Sequence, residues 1–168
     1  MAIELYTISA YTENCPGVLH RLTTSFTKRK INIESLTVSE TETKGISLFT
    51  IVVKVESGII ETVIKQLKRI IEVRAVYAYE DHEVLATEVA FIKVATEVVE
   101  DRAKIEELAL RHSGVIVHVD AKSVVVQATG NSDQIDSLYR MLEPQGILEF
   151  VKSGRIAVRK EVGLGLEA

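Results

Sequence analysis

Two short segments hold the residues whose types and spacing best suit binding chemistry. The first reads Glu13-Asn14-Cys15-Pro16-Gly17-Val18-Leu19 and leads into an apolar helical stripe. Asn14 or Cys15 is placed to cap a helix here, and Pro16 suits its first position because its missing N–H would be unpaired there. Gly17 lets a ligand approach the backbone closely. The free N–H groups of such a helix start attract an anion, for example a carboxylate. The same residues equally suit a plain helix start that serves folding alone. The second segment is Asn32-Ile33-Glu34-Ser35-Leu36. An Asn there can brace a turn through its own backbone, or it can bind the ammonium or carboxylate of a small zwitterion. Both segments flank one helix, so Asn14 and Asn32 are expected to face one site.

The usual catalytic sets are missing, so no catalytic residue and no metal ligand is assigned. His20, His82, His112 and His118 show no metal-ligand spacing with cysteines or carboxylates. Cys15 is the single cysteine, which excludes an intrachain disulfide. It has no His–acid arrangement beside it, and reads as a small filler at a turn. There is no Walker loop and no G-x-G-x-x-G. Gly163-Leu164-Gly165 lacks a following helix and reads as a frayed end.

Composition narrows the classes further. The 168 residues are 46% hydrophobic and 26% charged, with no Trp, which excludes a disordered chain. The formal net charge is −4, and residues 1–82 balance ten acidic against ten basic side chains. The whole excess therefore falls in the second half. Neither half has the basic footprint of a nucleic-acid binder. The start MAIELYTISAYTENCPG lacks the basic-then-apolar pattern of a secretory signal. No stretch reaches the roughly 18 to 20 apolar residues of a membrane span. A cytoplasmic protein is expected.

The elements that must position the two segments follow from periodicity. Residues 3–10 read as a strand. Val18, Leu22 and Phe26 then recur every fourth residue, with Lys28, Arg29 and Lys30 expected in the last helical turn. Residues 33–40 and 46–55 read as strands, with Phe49, Ile51, Val53 and Val55 on one face. A helix after Ser57-Gly58 carries Ile60, Val63, Ile64, Leu67 and Ile71, and residues 72–79 close the set. The second half repeats the order: strands at 88–95, 115–120, 122–129 and 146–152, helices at 100–112 and 132–142. The expected fold class is α+β, two tandem ferredoxin-like βαββαβ units spanning residues 1–82 and 83–168, joined by the polar stretch EDHEVLA. Each unit would leave one sheet face uncovered, and Ile46 and Leu48 make that face partly apolar. Such faces pair with a second copy or a partner.

The residues also resemble a known family. Asn14-x-Pro16-Gly17-Val18-Leu19-x-Arg21, followed by Asn32-Ile33-Glu34-Ser35-Leu36-Thr37-Val38, is similar to the regulatory small subunit of acetolactate (acetohydroxyacid) synthase. The first string is shared with amino-acid-sensing ACT domains in general, and the second is more specific. Val117-x-Val119, Gln127-x-x-Gly130, Gly146-Ile147-x-Glu149, Lys152-Ser153-Gly154, Ala157 and Arg159 extend the likeness over nearly the whole chain. The resemblance implies an N-terminal ACT domain that forms a homodimer and binds valine, leucine or isoleucine at the pairing interface. It implies a non-catalytic subunit without cofactors of its own. That subunit would activate a large catalytic subunit holding thiamine diphosphate, Mg²⁺ and FAD, and would confer feedback inhibition. Asn14, Gly17 and Asn32 match the family's effector-contacting residues, with Val18 and Ile33 lining the pocket beside them. Lys152 stands where many members have Arg, keeping the charge but losing bidentate geometry.

The alternative is an RNA-binding module, because RNA-recognition motifs share the βαββαβ order and stack bases on central-strand aromatics. Tyr6 and Phe49 are the candidates for that role. A small enzyme on the same halves would need a catalytic set, and none is visible.

Overall fold

The structure, a computed structural model, describes residues 3–96 and 99–161. The first unit runs β1 (Ile3–Glu13), α1 (Val18–Thr27), β2 (Ile33–Glu40), β3 (Ile46–Glu56), α2 (Ser57–Leu67) and β4 (Val73–Glu80). Its antiparallel sheet has the order β2-β3-β1-β4. β1 and β3 pair over their full lengths, from Ile3 opposite Glu56 to Glu13 opposite Ile46. Alternation puts Tyr6, Ile8 and Ala10 of β1 on the same face as Phe49, Ile51, Val53 and Val55 of β3. That face packs on Val18, Leu22 and Phe26 of α1 and on Ile60, Val63 and Leu67 of α2. The expected βαββαβ order and apolar stripes are therefore present.

The helix ends differ from the sequence expectation. α1 stops at Thr27, so Lys28, Arg29 and Lys30 follow the helix and do not form its last turn. Lys30 takes a left-handed conformation (φ 57°), and its N–H reaches the Thr27 carbonyl at 3.0 Å. The Ile31 N–H reaches the Phe26 carbonyl at 3.1 Å. This paired closure satisfies the last carbonyls and folds Ile31 back on the core. Likewise α2 ends at Leu67, and Ile71 lies beyond it, 90% exposed.

The second unit runs β5 (Val84–Ala95), α3 (Val99–Arg111), β6 (Gly114–Val119), β7 (Ser123–Gly130), α4 (Ser132–Leu142) and β8 (Ile147–Lys152), with sheet order β6-β7-β5-β8. Its core joins Ala90, Ile92, Val94, Val124 and Val126 to Ile105, Ile135, Leu138 and Leu142. Asn131 caps α4 reciprocally with Gln134, both bonds at 2.9 Å. Lys152 is drawn into this scaffold. Its ammonium lies 3.1 Å from the buried Glu88 carboxylate and donates to Ser132 Oγ at 2.7 Å. The charge at position 152 thus anchors β8 to the start of α4.

The division of the chain also differs. A ninth strand, β9 (Ile156–Arg159), pairs with β5. One compact unit takes the described residues up to Leu85 and those from Arg155 onward, and the other is Ala86–Gly154. The expected spans 1–82 and 83–168 missed this return. Its physical basis is a set of bonds from the C-terminal segment into the first unit. The Lys160 N–H donates to the Glu83 carbonyl at 2.9 Å, and Arg155 pairs with Asp81 at 2.7 Å. On the sheet face away from the helices, Thr7, Ser9, Thr50 and Val52 are buried. Arg155 donates to Thr7 Oγ1 at 3.2 Å there. The face expected to stand open is therefore partly occupied by the chain's own C-terminal segment. The Gly163–Gly165 reading lies outside the described residues.

Two outcomes follow. Lys152→Met removes the ammonium beside the buried Glu88 carboxylate and should lower stability by about 2 kcal/mol, read by urea unfolding. The Tyr6 hydroxyl donates to Glu4 at 2.7 Å; this bond, then burial and the nearby carboxylates, push its pKa up to about 12. The unfolded phenol ionises near 10, so the native state holds the proton longer and its stabilising contribution fades as pH rises from about 10 to 12. Tyr6→Phe should flatten that decline in urea midpoints measured across the range.

Candidate functional site

The loop leaving β1 is held by main-chain bonds. The Glu13 N–H donates to Glu72 O at 2.8 Å, Asn14 N–H to Gly45 O at 2.8 Å, and Cys15 N–H to Glu13 O at 3.1 Å. Gly17 then turns the chain with φ 88° and is the residue that precedes the helix. Neither Asn14 nor Cys15 caps α1, and Pro16 lies outside it, because the left-handed Gly17 takes the cap position. The first bond of the helix is Arg21 N–H to Gly17 O at 3.1 Å. No side chain or loop carbonyl among the described residues takes the N–H groups of Val18, Leu19 and His20. Asn14 is exposed and its amide has no protein partner among the described residues. This end of the unit therefore offers three main-chain donors and a free amide, the chemistry that holds a carboxylate.

Not every residue assigned from sequence faces this space. The Val18 side chain is 2% exposed and belongs to the core, so at the loop it presents only its N–H. Leu19, part of the same segment but not assigned to the site, is exposed beside it. Two ion pairs buttress the loop: Arg21 with Glu72 at 2.7 Å, and Arg74 with Glu13. Gly45 (φ 81°) supplies the carbonyl that holds Asn14, and its own N–H donates to Glu40 Oε1 at 3.2 Å. Glu72, Glu40 and Gly45 are distant in sequence from the loop and carried no sequence signal beyond the glycine itself.

Asn32 and Ile33 lie elsewhere. Asn32 is exposed, and its Nδ2 donates to Glu34 Oε1 at 3.3 Å. Ile33 is half-buried and packs on the edge of the core. Ile33 sits opposite Val53, whereas Asn14 is bonded at Gly45. The stretch of β3 from Gly45 to Val53 separates them, about 25 Å at the rise of an extended strand. Within one chain Asn14 and Asn32 therefore do not meet. β1 and β2 both run antiparallel to β3 and so parallel to each other. Asn14 follows the end of β1 while Asn32 precedes the start of β2, with the whole of α1 between them.

β2 is an edge strand, and its outer backbone pairs with no described strand. Its last residue, Glu40, lies beside the Asn14 loop through Gly45, and its first, Ile33, follows Asn32. Asn14, Gly17 and Val18 thus lie toward one end of the sheet, linked to the end of β2 through Gly45, and Asn32 and Ile33 lie at the start of β2.

The geometry weighs against the alternatives. Tyr6 and Phe49 are buried against the helices and cannot stack bases. No group of His, Cys, Asp and Glu among the described residues is arranged to hold a metal ion. No helix among them is long and apolar enough to cross a membrane.

Comparison with known proteins decides the family. Residues 8–75 match the AHAS small subunit-like ACT domain, and residues 87–161 match the small subunit of acetolactate synthase. The acetolactate synthase small subunit of Bacillus subtilis is 40% identical over 86% of this chain and 84% of its own length. That of Mycolicibacterium smegmatis is 37% identical over 92% of this chain and 91% of its own. The chain belongs to the acetolactate synthase small-subunit family. The crystal structure of the acetolactate synthase small subunit from Thermotoga maritima superposes with a TM-score of 0.87 at 28% identity, over 95% of this chain and 99% of that one. The family's ACT match contains Gly17, Asn32 and the free edge of β2. Its second match extends over residues 156–159, which form β9 here.

Gly17→Ala places a Cβ at φ 88°, where no side chain is comfortable, with the Arg21 guanidinium 3.5 Å away. It should lower stability by about 1 kcal/mol, measured by thermal or urea unfolding.

Proposed function

We propose that this chain is the non-catalytic regulatory subunit of an acetolactate synthase. It activates the thiamine-dependent catalytic large subunit and makes it sensitive to feedback inhibition by branched-chain amino acids, valine foremost. Thiamine diphosphate, Mg²⁺ and FAD belong to the catalytic partner in this reading, and no catalytic residue is assigned here.

The observation that carries it is the split arrangement at β2. Asn14 and Gly17 stand at one end of a free sheet edge, and Asn32 and Ile33 at the other. Antiparallel two-fold pairing of that edge with a second copy lays the start of one β2 beside the end of the other. Asn32 of the partner subunit then meets Asn14, and each homodimer holds two complete sites. The uncapped N–H groups of α1 suit the effector's carboxylate, the amides suit its polar groups, and Ile33 of the partner subunit with Leu19 suits a branched side chain. Effector binding favours one dimer arrangement, and only such differential affinity shifts the enzyme's state.

Isothermal calorimetry should show saturable valine, leucine or isoleucine binding to the wild-type chain. Asn14→Ala and Asn32→Ala should each weaken it by about tenfold or more. Mixed one to one after dissociation, the two variants should regain about a quarter of the wild-type sites, because about half of the re-formed dimers are hybrids. A hybrid dimer carries both substitutions in one site and none in the other. Unchanged affinity in both single variants, or no recovery on mixing, overturns the assignment.

A further inference from the structure

We infer that the segment from Arg155 to Arg159 is a regulatory strap that transmits effector binding from β2 to the second unit. This rests on the effector reading above.

The strap has three anchors on the first sheet. The Arg155 carbonyl accepts from Thr37 Oγ1 of β2 at 3.0 Å. Its guanidinium donates to Thr7 Oγ1 of β1 at 3.2 Å and to Asp81 Oδ1, just past β4, at 2.7 Å. Arg155 is 7% exposed and Thr7 1%, so the bond between them is shielded from water, whereas Asp81 meets the guanidinium from the solvent side; losing the Thr7 acceptor leaves a buried charge less well matched. One residue thus bonds both to the edge strand and to the strand two places inward. A shift of β2 relative to β1 cannot leave both sets of bonds intact.

Beyond Arg155 the connection to the second unit is covalent and short. Gly154 precedes it, and Ser153 is fixed on β5: its N–H donates to Val89 O at 2.8 Å, and its Oγ accepts from Val89 N–H at 2.9 Å. Lys152 before it grips Glu88 and Ser132. The path from Thr37 to the start of α4 therefore runs through bonded groups, with Gly154 as its least restrained link. β2 is the strand whose edge and ends form the proposed effector site, and Thr37 lies midway along it, opposite Thr50. A strap reading the position of β2 receives the effector's displacement directly.

The test uses the holoenzyme reassembled from this chain and its catalytic large subunit. Arg155→Ala removes the guanidinium, and Thr37→Val removes only the bond to the strap while keeping shape. Valine binding is measured by calorimetry, and acetolactate formation is followed against valine. The strap predicts valine affinity within about twofold of wild type in both variants, with the large subunit still activated. It predicts at least about fivefold weaker inhibition at saturating valine, the range of ordinary coupling free energies. Should Arg155→Ala fail to fold, Thr37→Val alone decides the matter. Inhibition unchanged in the folded variants overturns the strap while leaving the effector site intact. Affinity lost in parallel with inhibition also overturns it, because the segment would then be shaping the site. A wild-type chain that binds none of the three amino acids overturns the effector reading and the strap with it.

Discussion

The free edge of β2 is the constraint on which the functional reading depends. A strand with one paired and one unpaired side presents a row of main-chain donors and acceptors that water alone must satisfy. In this unit the central pair β1 and β3 is fully matched and buried, so the sheet cannot add a strand internally. Growth is possible only outward. Because β1 and β2 are parallel, the loop that follows one and the turn that precedes the other are held at opposite ends of the sheet. A single chain therefore cannot bring the two segments together, and the proposed two-fold pairing would. In that proposal ligand binding and assembly form one equilibrium, which is what a regulatory subunit requires.

The chemistry at the loop follows from an omission. α4 satisfies its N-terminal donors through Asn131 and Gln134. α1 begins at a left-handed glycine and has no side chain to do the same. An uncapped helix start is less stable by about 1 kcal/mol than a capped one. The ion pairs of Arg21 and Arg74 fix the loop without filling the donor positions. Fold stability is thus slightly lowered at the point where an anionic ligand can restore it.

Much of this was legible from residues alone, for identifiable reasons. β2 matched its expected span residue for residue, because Gly45 and the turn after α1 punctuate it on both sides. The helical stripes were legible because Val18, Leu22 and Phe26 repeat at helical spacing and all are buried. The capping of α1 was misread because local sequence favours Asn or Cys at that place, whereas the bond from Asn14 N–H to Gly45 O pulls the loop away from the helix. The separation of Asn14 from Asn32 was hidden because sequence order does not reveal that β3 lies between β1 and β2. β9 escaped notice because four residues with two exposed apolar side chains, Ile156 and Val158, carry little periodic signal. Arg155 just before it is held by Thr7, Thr37 and Asp81, all more than 70 positions away.

The use of an arginine to hold the returning segment bears on how it behaves. An apolar residue at position 155 would bury surface with a shallow dependence on position, since hydrophobic contact is non-directional. A guanidinium nine-tenths buried is different. It is stable only with its acceptors in place, and its hydrogen bonds weaken steeply with distance and angle. Docking of the segment is therefore close to all-or-none. Packed interfaces of this kind convert sub-ångström shifts into discrete states. In the proposed reading, an edge strand that completes its pairing with the effector and a buried cation sensitive to the seating of that strand would together give the first unit two states instead of a continuum.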